Sequence, residues 1–410
     1  MADRFARLAD AADQGPIGFA ALSRIVMSGI DIATLGARVE ERARRHPGSA
    51  GALLDLATTL FLTMDPGHHR LALQFQARAL ALSRHYRLAA ARPPSAPPRL
   101  RLLALYAPGD MTANTPVDCL LEESDVDLEL LYLGPGETPP APLPAHDALF
   151  VAIGESDDNQ PLLRMASELA RRDGVPVVNQ PDRIARLTRD LVARDLGDLP
   201  GVLVPATLRI GRTTLESASR GAPLPSCLDY PLIARPVGSQ AGRALTRVES
   251  PEPLVRYLAE HPHPEYFIAP FIDYSSSDGR FRKARVVLVG GRPFPCHLAI
   301  SSRWMVHYAN ADMDSSAEKR AEEARWMERF DADFASRHRV ALAAIVQRIG
   351  LDYFAIDCAE TPDGRLLVFE VDNAMIVHSL DPPEPYGYKL PHMRRVFGAF
   401  RALLGGAARA

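Results

Sequence analysis

The chain has 410 residues, which at about 150 residues per domain implies two to three domains. Its 47 basic and 50 acidic residues nearly cancel, and the net charge of −3 excludes a bulk-electrostatic nucleic-acid or polyanion binder. No apolar run approaches the ~20 residues of a membrane span, and the acid-bearing N-terminus lacks the apolar stretch of a secretory signal, so a cytoplasmic protein with no membrane partner is expected.

Residues 1–91 read as helical. Apolar positions recur at i, i+3, i+4 and i+7 from Gly51 to Leu62 and from Leu71 to Leu82, with a Met64-Asp-Pro-Gly stop between them. The pair looks like one tetratricopeptide-type unit: either a small bundle docked on the next domain or an arm for a protein or peptide partner. One unit is not an array, because arrays bury their core between several units. Ala91-Arg-Pro-Pro-Ser-Ala-Pro-Pro is a stiff linker.

Apolar runs at 100–106, 128–133, 148–153 and 175–179, with a helix at 160–172, predict an open α/β sheet. A helix is expected over 182–196. Strands follow at 232–236, 265–272, 285–289 and 297–300, with Gly290-Gly291 as a tight turn. The charged stretch 314–347 reads as mostly helical. Strands at 353–358 and 366–371 flank the turn Thr361-Pro-Asp-Gly, and a helix at 392–404 ends the pattern. The four cysteines are scattered without a CxxC pair, so they are read as buried free thiols.

The strongest chemical signal is the last hairpin. Asp357 lies on its first strand. Glu370 and Asp372 lie two apart on the second, hence on one face. Three converging carboxylates would repel, and a divalent cation removes that repulsion; all-oxygen ligation suits Mg²⁺ with nucleotide phosphates. The plainer alternative is that these acids cap strand ends in solvent. A second, weaker signal is Arg235-Pro-Val-Gly-Ser-Gln-Ala-Gly-Arg after an apolar strand. It is either a phosphate-covering glycine loop or a hairpin turn.

In its order of elements the sequence resembles the ATP-grasp superfamily, near the glutathione synthetase and ribosomal-protein-modifying ligase branch. The resemblance runs from about residue 100 to 405, and the acidic hairpin is its most specific part. It implies an α/β (α+β) chain with these parts: a tetratricopeptide-like all-helical domain over 1–91, a linker over 92–98, a pre-ATP-grasp α/β domain over 99–181, an ATP-grasp N-subdomain over 182–265 and a C-subdomain over 266–410.

By the same resemblance, Asp357, Glu370 and Asp372 match ligands of two magnesium ions, with Asn373 as an alternative donor because the family usually has Asn at the Asp372 position. Arg235 and, less closely, Arg189 match nucleotide lysines. That exchange fits a chain whose only lysines are Lys283, Lys319 and Lys389. Gly238, Ser239, Gln240, Ala241 and Gly242 match the phosphate-covering loop. Ala269, Pro270, Phe271 and Ile272 match the adenine hinge, with Asp273 toward the ribose. Arg285 matches the arginine that holds phosphate and acyl oxygens, and with Arg235 it is the catalytic candidate. Lys283 stands where relatives often have an acid.

Candidate substrate contacts are Lys283, Arg303, His378, Tyr388 and Lys389; a structural histidine and a surface loop are the alternatives for the last three. The implied activity is ATP- and Mg²⁺-dependent joining of a small-molecule or peptide carboxylate to an amine through an acyl phosphate. A partner-recruiting nucleotide-binding module or a kinase of the same fold are the alternatives. Relatives are often dimers or tetramers, which leaves a homodimer open.

Overall fold

A computed structural model describes residues 15–88, 100–240 and 242–409. The linker expected at 92–98 lies outside these residues. The described chain divides into two compact units: one holds the residues up to Ala185 with Leu351–Phe354 and those from Asn373 onward, the other Arg186–Gly350 with Ala355–Asp372.

The first unit opens with helices whose ends are set by local chemistry. Ser49 caps Ala50–Leu62 by accepting the Ala52 N–H at 3.3 Å. Pro66–Leu82 starts with proline in its first turn, and Asp65 accepts the Gly67 and His68 N–H groups at 2.8 and 3.0 Å. The expected pair is preceded by two more helices, Phe19–Met27 and Ile32–Arg45. The helical reading of residues 1–91 also needs correction at its end. His85–Arg87 is a strand (β1), drawn into extended form by pairing with the neighbouring sheet.

That sheet also contains β2 (Leu100–Tyr106), β3 (Val126–Tyr132), β4 (Ala148–Val151) and β5 (Val177–Val178). Its order is β1-β3-β2-β4-β5, parallel except for β1. The central strands are buried on both faces along most of their length, as their mainly apolar sequences require. The C-terminal helix Leu390–Ala407 covers this sheet. Phe400 meets Phe150 edge-on at 5.4 Å and Tyr353 at 5.2 Å. Compactness therefore groups that helix with the first sheet, although it lies in sequence beyond the acidic hairpin.

Asp118 joins this unit across 98 residues of sequence: half-buried, it accepts the Ala20 N–H at 2.7 Å at the start of Phe19–Met27. Burial pushes its carboxyl up to about 6, against the Ala20 hydrogen bond, which lowers it. A carboxyl raised above its unfolded value contributes stability below the unfolded pKa and loses it as pH rises through the folded pKa. Asp118→Asn is therefore expected to gain about 3 kcal/mol relative to the unaltered chain between about pH 4 and pH 7. Parallel stability–pH curves from urea unfolding would refute it.

The second unit contains β6 (Val202–Leu203), β7 (Leu208–Gly211), β8 (Leu232–Pro236), β9 (Thr246–Val248), β10 (Glu265–Pro270), β11 (Phe281–Val289), β12 (Arg292–Ser301) and β14 (Leu366–Asp372), with most of β13 (Tyr353–Glu360). One antiparallel sheet runs β7-β10-β8-β9. Tyr266, Ile268, Leu232 and Ala234 from it bury Leu254 and Leu258 of the helix Pro251–Glu260. The other runs β12-β11-β13-β14-β6. The helix expected over 182–196 is in fact two short ones, Pro181–Ile184 and Arg189–Leu196. Thr188, with ψ 146, takes the chain out of helical geometry and restarts it, so Arg189 stands at the first helical position.

Three cysteines are buried as expected, but Cys227 is exposed because it falls in the loop before β8 rather than in a core element. Among the described residues no helix is long and apolar enough to cross a membrane.

Candidate functional site

The acidic hairpin forms as read, with the turn after Thr361 and the Gly364 N–H bonded back to the Thr361 carbonyl at 2.9 Å. Asp357 and Glu370 are direct cross-strand partners, and Asp372 faces Ala355. Strand alternation puts Glu370 and Asp372 on one face. The register shifts between Asp357 and Cys358, so the second strand carries an extra residue at Phe369. A second bulge lies in the β11–β12 pair just after Arg285. Bulges of this kind re-aim side chains, and here both sit beside the charged groups.

Those groups form a row across the sheet. His297 on β12 lies opposite Arg285 on β11. Arg285 clasps Asp357 on β13, Nε to Oδ1 at 2.8 Å and Nη2 to Oδ2 at 3.2 Å. Lys283, two residues before Arg285 and on the same face, donates to Asp357 Oδ2 at 2.8 Å. Next comes Glu370, which pairs with Arg189 of the helix Arg189–Leu196; Arg189 also donates to the Phe369 carbonyl at 3.4 Å.

The side chain of Asp357 is 4% exposed. Burial alone would raise its pKa, but Arg285 and then Lys283 outweigh burial and hold it well below the carboxylate range. Burial works against the Arg285 charge, and Asp357 more than compensates, raising its pKa. His307, in the loop after β12, is held below its ordinary value by desolvation and by the charges of Lys283 and Arg285.

Asp357 and Glu370 are thus not left to repel one another, as the sequence reading supposed: Lys283 and Arg285 of β11 neutralise the first, and Arg189 of a helix the second. Among the described residues no three His, Cys, Asp or Glu side chains are grouped closely enough to hold a metal ion. The donor chemistry still fits a hard cation, because Asp357, Glu370 and Asp372 offer only oxygen. Asp357 and Glu370 are held by ion pairs rather than by packed apolar groups.

Arg235, at the end of β8, is the most unusual charge of the site. It is 8% exposed. Its guanidinium bonds to the hydroxyl and carbonyl of Ser239, both neutral, and among the described residues it pairs with no carboxylate. Burial, and then the neighbouring charge of Arg189, lower its pKa to about 9. The loop it holds turns at Gly238 (φ 79) and Gly242 (φ 72), conformations open to glycine. Nothing lies within 4 Å of a side chain placed at Gly238, so the loop faces open space there. Gln240 belongs to the same loop, and Ala241 lies outside the described residues.

The expected hinge continues β10. Ala269 and Pro270 pair with Ile233 and Leu232 of β8, and the Phe271 N–H is bonded to the Pro231 carbonyl at 2.8 Å. Ile272 packs under the sheet with Tyr274 and Phe369. Asp273 accepts the Ser275 N–H at 2.9 Å, which lowers its pKa. Sequence reasoning missed Arg247, whose guanidinium lies 4.0 Å over the Phe271 ring, while Trp304 meets the other edge at 5.8 Å. Its strand has only three residues, too few for a periodicity signal. Arg303 is exposed just past β12.

The remaining candidates belong to the first unit. Asn373 is fully buried: its amide donates to the Ile153 carbonyl at 3.0 Å, while its carbonyl oxygen has no hydrogen-bond partner. His378 Nδ1 accepts the Leu380 N–H at 3.1 Å. Lys389 is buried, 3.2 Å from Asp381 and 4.7 Å over the Tyr386 ring, which itself lies 6.2 Å from Tyr388.

No family model matches the sequence, and no curated protein matches it. Solved structures do. The chain is similar to a RimK-domain ATP-grasp protein from Sphaerobacter thermophilus, at 20% identity and a TM-score of 0.44, over 74% of this chain and 99% of that one. It is also similar to the VanG D-Ala:D-Ser ligase of Enterococcus faecalis, at 15% identity and a TM-score of 0.47, over 74% and 99%. A third is the D-alanine–D-alanine ligase of Bacillus anthracis, at 11% identity and a TM-score of 0.44, over 76% and 99%.

Proposed function

We propose that the chain is an ATP-dependent ligase that joins a carboxylate to an amine through an acyl phosphate. The observation that carries this reading is the charge balance of the cluster: Arg189, Arg235, Lys283 and Arg285 against Asp357, Glu370 and Asp372, with Arg235 buried and, among the described residues, paired with no carboxylate. Such a face is complementary to a polyanion the size of a phosphate chain.

In this reading Arg235 and the 238–242 loop bind the terminal phosphates through the guanidinium and backbone N–H groups. The hinge over Ala269–Asp273 receives the base, with Phe271 as an apolar wall. Arg285 holds the transferring phosphoryl and acyl oxygens. A divalent cation such as Mg²⁺ would add charge neutralisation at that group, with Glu370 and Asp372 as its ligands and Asp357 the third carboxylate of the face. The substrate carboxylate oxygen attacks the γ-phosphorus, the bond to the bridging oxygen breaks, and ADP leaves. The amine then attacks the acyl carbon, phosphate leaves, and the amine nitrogen gives up a proton. Lys283 and Arg303 are the proposed substrate contacts of this unit.

The test is ADP release measured against pools of carboxylates and amines, with hydroxylamine as a trap for the acyl phosphate. Carboxylate-dependent ADP release and a hydroxamate product are expected. Glu370→Gln is expected to lower that rate by roughly 100-fold or more, the scale set by loss of a group that organises transition-state charge. A stable phosphorylated product and no hydroxamate would mean a kinase. Nucleotide binding without turnover would mean a recruiting module.

A further inference from the structure

The two carboxylates of the cross-strand pair are compensated very differently. Asp357 faces two cations. Both of its oxygens are engaged by the Arg285 fork, and Oδ2 also takes Lys283 at 2.8 Å. Its side chain is 4% exposed, and Lys283 and Arg285 are themselves largely covered, at 16% and 18%. Glu370 pairs directly with one cation, Arg189, through one carboxylate oxygen, and its own side chain is 27% exposed against 4% for Asp357. Arg189 stands on the first turn of a separate helix. It can leave Glu370 without opening the sheet.

We infer that Lys283 is a built-in replacement for a second divalent cation at Asp357, so that this site takes one metal ion per nucleotide, at Glu370 and Asp372. The inference rests on the nucleotide-binding reading above and narrows it. Its physics is simple. An ammonium already lies where a metal ion would approach Oδ2, and a guanidinium already neutralises the rest of the carboxylate. A doubly charged ion there would meet two positive charges at contact distance, in a partly desolvated setting where repulsion is little screened. Displacing the lysine would leave a covered ammonium without its partner, a costly outcome. At Glu370 the exchange is favourable, because the arginine released from the carboxylate can turn to a phosphate oxygen.

The experiment titrates Mn²⁺ into the full-length chain with saturating β,γ-imido ATP, and counts bound ions by the loss of the free Mn²⁺ paramagnetic resonance signal. The unaltered chain is expected to bind one Mn²⁺ per nucleotide. Lys283→Met, which keeps the stem and removes the charge, is expected to bind two, and Lys283→Arg one. Circular dichroism melts of each variant confirm folding, and the stoichiometry is a readout that a merely structural lysine would not move. Two ions on the unaltered chain, or one on Lys283→Met, overturns the inference while leaving nucleotide binding in place. No nucleotide bound at all overturns the inference together with the reading beneath it.

Discussion

Asp357→Ala is expected to cost the fold about 3–5 kcal/mol, the penalty for leaving buried charges without their partner, and to abolish nucleotide turnover. The substitution strands two cations. Lys283 and Arg285 project from the neighbouring strand β11 onto a carboxylate that is almost fully covered. Their combined pull overcomes the burial penalty on Asp357, whose pKa is well below the usual range. For a carboxylate depressed in the folded state, the stabilisation is fully present above the unfolded pKa and is lost as pH falls through the folded one. The effect of the substitution should therefore be complete at neutral pH and shrink in strong acid. Urea unfolding at several pH values measures it. Adding Lys283→Met to Asp357→Ala should recover part of the loss, since one stranded charge is removed. A loss below about 1 kcal/mol would place the group among solvent-screened pairs, contrary to the geometry.

Arg235→Met is expected to act in the opposite sense on stability. Arg235 is buried and, among the described residues, bonds to neutral atoms of Ser239 alone, and its charge is disfavoured by burial and by Arg189. A methionine fills similar apolar volume without a charge to desolvate. The ligand-free chain should melt at a higher temperature, while affinity for a nucleotide triphosphate falls by roughly 10- to 100-fold, the scale of one charge-assisted hydrogen bond. Thermal melts with and without β,γ-imido ATP separate the two effects. Strain of this kind is common where a site is kept ready for a ligand at some cost in stability. A variant that is less stable without ligand and binds it unchanged would make Arg235 a structural residue.

The acidic hairpin was legible because its signals are local. Alternating apolar residues, a Thr-Pro-Asp-Gly turn and two acids at a spacing of two define it without reference to the rest of the chain. The strands of the α/β sheet and the helices over 50–62 and 66–82 were legible for the same reason. Very short strands such as Arg247's were not, since three residues carry no period.

The Lys283–Asp357 contact spans 74 residues and the Arg189–Glu370 contact 181. What the sequence determined by itself is the inventory: a chain poor in lysine, carrying three acids on one hairpin and a glycine loop next to an arginine. What only the tertiary structure decided is the pairing. A side chain's charge is fixed by its chemistry, but its compensation depends on strand register, two bulges and a helix start, all set by packing between distant segments. One of the three lysines of an arginine-dominated chain thereby becomes the fixed counter-ion of its most buried site carboxylate.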